Sequence, residues 1–307
     1  MVVDAIHNAQ SFALCMTSRR HVASMAVMLC HSFLKGAWLL RGIFAFLQTC
    51  KPNKPSSILK CGHLLSFCGM VLRRSVSVRF LIIPDIHNET ANADHWLNKQ
   101  HFDRAIYLGD YFDCQDDNAN DSSLAALWLR RRMDSSADIF LLGNHDAAYM
   151  FSNDPQLYCP GFTKAKASAI HQVLRPEHWA KFQLAHFEQG WLISHAGFHP
   201  TWIEQPTVSR ILSRCEKAMA LAKRGKVDPI LGFGEVRGGL QRFGGPLWMD
   251  WDSLFPIPGI NQIVGHTTGE EARKKVTSES KNYCLDVKNA SVAAILADGE
   301  LTILRKE

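Results

Sequence analysis

The sequence predicts an α/β fold built on layered sheet, and three observations carry that expectation. Apolar runs of strand length recur at residues 78–84, 105–108 and 138–142. Stretches with helical spacing separate them, at 91–100 and 122–136, giving a β-α-β-α-β order with about 25–35 residues per unit. The runs are apolar throughout rather than alternating, as expected of strands in a sheet covered on both faces.

Taken in order, Val78-Arg-Phe-Leu-Ile-Ile-Pro84 is the first strand, and Ala91, Ala93, Trp96 and Leu97 mark a short helix after it. Ala105-Ile-Tyr-Leu108 is the second strand. The next helix opens on Ser122-Ser123, carries Leu124, Leu127, Trp128 and Leu129, and ends on Arg130, Arg131 and Arg132, where cations suit the helix dipole. Asp138-Ile-Phe-Leu-Leu142 is the third strand. Residues 164–186 read as a helix broken near Pro176, 190–194 as a strand, 205–225 as a basic amphipathic helix and 232–245 as a glycine-rich loop. Strands at 260–264, 283–287, 292–297 and 301–304 complete the pattern, the last two joined by the hairpin signal Asp298-Gly299. No internal repeat or low-complexity tract is visible.

Composition fits a globular chain: of 307 residues, 47% are hydrophobic and 21% charged, which excludes a disordered chain. The net charge of +5 is unevenly placed. Residues 1–77 hold nine of the 34 Lys/Arg and one of the 29 acids, so the remaining 230 residues balance at −3. The basic total is therefore no sign of nucleic-acid binding. Nine cysteines without paired spacing do not make a disulfide framework, which favours a reducing, cytoplasmic setting. Cys61-Gly-His63 with Cys68 lacks the second pair that a zinc knuckle needs. No uncharged stretch of the N-terminal part reaches the ~18–20 residues needed to span a bilayer.

Two domains of unequal standing are expected: an N-terminal extension over 1–76 and a folded domain over 77–307. The extension has no sustained period, and its texture ends near Met70. Three readings of residues 1–69 stay open: a start codon set too far upstream, an organelle-targeting segment, or a basic amphipathic helix over 33–50 at a membrane surface.

The chemistry is written where the strands end. Each apolar run is followed by acids, amides or histidines: Asp85-Ile-His87; Gly109-Asp110-Tyr-Phe-Asp113; Gly143-Asn144-His145-Asp146; Ser194-His195-Ala-Gly197; and Gly265-His266-Thr267. Ligands of α/β sheets bind beyond the carboxyl ends of strands. One such block is weak, since a lone histidine after a strand is usually a loop residue. Five in succession are not.

In this order the blocks resemble the calcineurin-like metallophosphoesterase superfamily, over nearly all of residues 78–307. The single histidine of the last block, with Thr268 where many branches carry a second, is similar to the phosphoprotein-phosphatase-type branch. That branch includes bacterial and phage phosphatases and diadenosine tetraphosphate hydrolases. The resemblance implies two mixed sheets packed face to face with helices outside, four layers in all. It also implies two divalent metal ions, Mn²⁺ first, with Fe or Zn²⁺ as alternatives. Asp85, His87 and Asp110 would hold the first ion; Asp110, Asn144, His195 and His266 would hold the second, with Asp110 as the bridge. Oxygen and imidazole donors without cysteine suit those metals. Two dications against two carboxylates leave a surplus of +2, which favours a bridging hydroxide as nucleophile and still attracts phosphate. His145 is implied as general acid, with Asp113 orienting and charging it. Asp113 as a turn acid capping the helix near Ser122 is the other reading. Asp146 is expected to cap the helix after it, and His186 and His199 to be rim residues.

The expected activity is hydrolysis of a small-molecule or protein-borne phosphate ester. The alternatives are an inactive scaffold of the same fold, or a nuclease, which the −3 balance disfavours. Departures from the protein-phosphatase pattern matter. Cys114, Leu142 and Asp250 stand where relatives carry arginine, so no phosphate clamp is evident. Arg237 and Arg242 in the glycine-rich loop are the nearest substitutes, and Trp248 either lines the cleft or packs in the core. Substrate-binding residues and oligomeric state are not legible.

Overall fold

In the computed structural model, the described residues are 78–306. The readings made for residues 1–76 and for the helix over 33–50 lie outside them. The first half follows the expected alternation: β1 (Phe80–Ile83), α1 (Thr90–Lys99), β2 (Arg104–Tyr107), α2 (Ala119–Ser135), β3 (Ile139–Leu141) and α3 (Asn144–Met150). Then come α4 (Lys164–Val173), α5 (Pro176–Trp179), β4 (Phe182–Gln183), β5 (Ala185–Glu188), β6 (Trp191–Ser194) and α6 (Val208–Ala222). The chain closes with β7 (Asn261–Val264), β8 (Arg273–Val276), β9 (Lys281–Cys284), β10 (Val292–Ala297) and β11 (Glu300–Arg305).

Two mixed sheets result. The first has the order β11-β10-β1-β2-β3-β4, with β1 to β4 parallel and β10 antiparallel to β1. The second has the order β5-β6-β7-β9-β8, with β6, β7 and β9 parallel. The period-2 alternation of a strand sorts its side chains. Phe80 and Ile82 join Ile106, Leu108, Trp191, Ile193 and Ile263 in one buried cluster between the sheets. Leu81 and Ile83 instead pack with Trp96, Ala126, Leu129 and Met133 under the helices. Each fully buried aliphatic or aromatic side chain contributes about 1.5–3 kcal/mol. Both faces of β1 are dry, which is why its sequence does not alternate.

Three expectations need correction. The helix read over 164–186 ends at Trp179, and Pro176 starts a separate turn, its fixed φ fitting a first helical position. Strands β4 and β5 take up the rest of that stretch and carry the chain from one sheet edge to the other. Strand β8, Arg-Lys-Lys-Val, has no apolar run to announce it; Lys275 Nζ donates to the carbonyls of Trp251, Asp252 and Leu254. The strand expected over 283–287 lies at Lys281–Cys284, paired to β7. The cap of α2 is Asn118, in a reciprocal box with Asp121, so capping does not occupy Asp113. Among the described residues, no helix is long and apolar enough to cross a membrane.

Candidate metal centre

Parallel strands end on the same side of a sheet, so the residues just past β1, β2, β3, β6 and β7 gather at one rim. The turns there are tight. His87, Asp110, Asp113 and His266 adopt left-handed backbone, with φ of 47°, 49°, 66° and 69°. Such conformations cost non-glycine residues about 1–3 kcal/mol each, and they cluster at functional sites. Backbone bonds hold them: the N–H groups of Ile86 and His87 both donate to Asp110 O, at 3.0 and 2.8 Å. Two glycines allow the close approach. A Cβ at Gly143 would lie 2.1 Å from Asp110 Oδ1, and one at Gly265 would lie 2.1 Å from Asp85 Oδ1.

The centre of the cluster is a set of acceptors facing one another. His195 Nε2 lies 2.9 Å from Asn144 Oδ1, 3.1 Å from His266 Nδ1 and 3.5 Å from Asp110 Oδ2. The other ring nitrogen of His195, Nδ1, lies 3.1 Å from the carbonyl of Leu108, so its proton belongs there and Nε2 keeps a lone pair. His87 is fixed the same way. Its Nδ1 faces Asp113 O at 2.7 Å and Phe112 O at 3.2 Å, leaving Nε2 turned to Asp110 Oδ2 at 3.8 Å. Asp85 stands slightly apart: its Oδ2 accepts the His266 N–H at 2.9 Å, and its Oδ1 is buried without a hydrogen-bond partner.

Electrostatics follow from burial. Desolvation lowers the His195 ring against the pull of Asp110, and lowers His266 further with help from His195, so both rings stay neutral. Burial raises the Asp85 carboxyl, and the charges of Asp286 and Asp110 raise it more. For Asp110 burial works upward, but the surrounding His195, His145 and His87 hold its carboxyl well below the usual range. Neutral imidazoles, an amide oxygen and carboxylates converging on one point are a donor set suited to divalent cations, so these residues fit such ions. Ring nitrogens and carboxylate oxygens of Asp110, His195 and His266 lie within 4.8 Å of one another, and so do those of His87, Asp110 and His145.

His145 starts α3 beside this cluster, and its backbone N–H donates to Asp110 Oδ1 at 3.0 Å. Its ring Nδ1 meets Asp113 Oδ2 at 2.9 Å, and its side chain keeps 19% exposure, enough to meet a substrate. Burial alone would lower this ring; the Asp110 charge and the Asp113 hydrogen bond push it up to about 12. Asp146 caps its own helix by accepting from Gly143 N, and it also takes the N–H groups of Asp110 and Tyr111, at 2.7 and 2.8 Å.

Sequence reasoning missed several neighbours. Tyr149 and Lys166 both donate to Asp113 Oδ1. Cys159 Sγ lies within 4.8 Å of a His145 ring nitrogen and an Asp113 oxygen, and burial pushes its thiol up. Asp286, bonded to the Thr268 hydroxyl at 2.7 Å, adds its carboxyl beside Asp85, whose charge it opposes. No motif announces these residues; only their contacts do. Of the arginines in the loop, Arg237 is paired with Asp250 at 3.0 Å and Arg242 lies over the Phe243 ring. His199 stacks on Phe243, and His186, half-buried, faces Glu188. Trp248 is buried, against Phe233 and the edge of His266.

The family profile of calcineurin-like phosphoesterases matches residues 78–269. A solved chain named, by assignment only, a diadenosine tetraphosphatase is 17% identical, covering 76% of this chain and 96% of its own, at a TM-score of 0.44. A metallophosphoesterase from Sphaerobacter thermophilus is 16% identical over 75% of this chain and 89% of its own, at 0.37. A protein serine/threonine phosphatase from Saccharomyces cerevisiae is 11% identical over 76% and 81%, at 0.45. No curated protein matches. With the profile covering well over half of its length, the chain belongs to the calcineurin-like phosphoesterase family and is a hydrolase of phosphate ester bonds.

Proposed function

We propose that the chain hydrolyses phosphate esters at a two-cation centre, with His145 as the general acid. Asp85, His87 and Asp110 would hold one cation; Asp110, Asn144, His195 and His266 would hold the other, with Asp110 shared. The observation that carries this reading is the convergence of His195 Nε2, Asn144 Oδ1, His266 Nδ1 and Asp110 Oδ2 within 3.5 Å of the first, with backbone fixing the His195 lone pair inward. When bound, the cations supply Lewis acidity to the phosphoryl oxygens and activate the attacking water; Mn²⁺, Fe or Zn²⁺ fits the donors.

The chain's own residues do the rest. Water's oxygen joins phosphorus as that water gives up one proton to the solvent, the bond from phosphorus to the leaving oxygen breaks, and that oxygen takes a proton from His145 Nε2, which the ring recovers from solvent. Asp113 keeps His145 Nδ1 protonated, so Nε2 is the nitrogen that can give its proton away and regain it. Once the Asp110 charge is offset, the ring comes down from its raised value, toward the range where proton transfer works best. The substrate is a phosphate ester of small-molecule or protein origin.

The test is p-nitrophenyl phosphate turnover with Mn²⁺, with and without chelator, alongside metal analysis. Chelation should abolish activity, and His145→Asn should cut kcat while leaving metal content intact. Turnover indifferent to chelator would overturn the proposal.

A further inference from the structure

The acid–base pair His145–Asp113 sits in a cradle that the five sequence blocks do not describe. Asp113 is 3% exposed in its side chain, and every oxygen has a named partner. Oδ2 faces His145 Nδ1 at 2.9 Å, while Oδ1 accepts from the Tyr149 hydroxyl and, at 3.0 Å, from Lys166 Nζ. Lys166 comes from α4, 53 residues along the chain, and is 6% exposed. An ammonium has three donors, and here each has a different acceptor: Asp113 Oδ1, Asp117 Oδ1 and the carbonyl of Gly161 at 3.0 Å. Asp117 in turn accepts from Asn88, the residue after His87, at 2.7 Å. Gly161 presses on the other side, where a Cβ would lie 3.0 Å from Asp113 Cγ.

We infer that Lys166 and Tyr149 are positioning residues for leaving-group protonation. A carboxylate held by one histidine alone can swing about its own bonds. Pinning Oδ1 with two donors from α3 and α4 leaves Oδ2 a single direction, toward His145 Nδ1, and so aims His145 Nε2 outward at the leaving oxygen. Lys166 also ties Asp113 to the turn that carries His87, through Asp117 and Asn88, so the acid and the cation cluster keep one mutual geometry. A buried ammonium that faces two carboxylates and makes no other contact to the cluster serves that geometry rather than phosphate binding. The inference rests on the hydrolase reading above.

Leaving-group dependence tests it, because an ester with a good leaving group needs little acid help and an alkyl ester needs much. The full chain with Mn²⁺ is assayed on p-nitrophenyl phosphate and on glycerol phosphate, as wild type, His145→Asn, Tyr149→Phe and Lys166→Met. General acid catalysis is worth about 10²–10⁴-fold. Tyr149→Phe and Lys166→Met should each lower kcat on glycerol phosphate about tenfold more than on p-nitrophenyl phosphate, with KM moving less than kcat and metal content unchanged. Equal losses on both esters, the mark of a merely structural role, would overturn the inference, as would no loss in either variant. If Lys166→Met does not fold, Tyr149→Phe, which removes one hydroxyl, decides alone. A wild type inactive on both esters brings down the hydrolase reading and this inference with it. Selective loss in His145→Asn without selective loss in Tyr149→Phe and Lys166→Met leaves that reading standing and removes only this one.

Discussion

Two regions at the same rim are built on opposite principles. Around His195, acceptors face an acceptor: Asn144 Oδ1 and Asp110 Oδ2 converge with His266 Nδ1 on a nitrogen that has no proton to offer. Around Asp113, donors meet acceptors: Tyr149, Lys166 and His145 supply three hydrogen bonds to its two oxygens, and each ammonium proton has its own partner. The first region is under-satisfied without cations and should gain stability from them. The second is complete by itself and should keep its geometry whether or not cations are bound. Buried polar groups are costly when unpaired, so the difference should be measurable.

The largest effect is expected from Asp110→Asn, which removes the shared carboxylate. Metal content should fall and kcat should drop by about 10³-fold or more, as several kcal/mol of transition-state stabilisation go. Retained metal at wild-type stoichiometry would break the assignment of Asp110 to both ions. Next, His145→Asn should lower kcat about 10²–10⁴-fold on poor leaving groups with metal retained, since it cuts the second region and spares the first. Loss of both ions in that variant would mean that the two regions are not separable.

Cation binding itself is the third handle. At 100-fold over its dissociation constant a ligand stabilises by about 2.7 kcal/mol, so Mn²⁺ should raise Tm by about 5 °C or more. Tyr149→Phe should keep that increment and Asp110→Asn should lose it; calorimetry with and without chelator reads both. In chelator, Asp85→Asn should leave stability unchanged or raise it slightly, because burial and the neighbouring carboxylates already oppose a charge on Asp85. A lower denaturant midpoint for that variant would show Asp85 already compensated.

The smallest effect sets the scale away from both regions. Burial raises the Asp228 carboxyl, but paired hydrogen bonds from Arg214 outweigh it and hold the carboxyl low. A depressed carboxylate contributes stability above its unfolded pKa of about 3.9, and loses that contribution as pH falls through its folded value. Arg214→Met should therefore cost stability at neutral pH and progressively less in acid. A penalty independent of pH would mean that packing of the arginine stem, not the ion pair, is what α6 uses there.

Much of this is legible in the residues alone. Strands β1, β2 and β3 announce themselves because both of their faces are buried, and burial writes an uninterrupted apolar run. The hairpin of β10 and β11 shows in Asp298-Gly299, since few residues accept that turn. Strands β5 and β8 lie at the edges of the second sheet, where half the side chains meet solvent, and their polar sequences carry no strand signal. Pro176 reads equally as a helix break and a helix start; only the chain's need to cross from the first sheet to the second settled which.

The residues proposed as metal ligands stand out in the sequence because the strand ends deliver, at fixed offsets, the few donor types that a divalent cation accepts, in an order that resembles a known family. That constraint is local, and local constraints leave motifs. Lys166, Tyr149, Asp117 and Asp286 leave none. Each acts through contacts with residues distant along the chain, so its identity depends on how α3, α4 and the second sheet pack. The sequence by itself determined the kind of chemistry and the fold that carries it. The tertiary structure alone decided how the His145–Asp113 pair is held, and that Asp286 and Asp146 stand beside Asp85 and Asp110, because charge and orientation depend on distances that no spacing along the chain encodes.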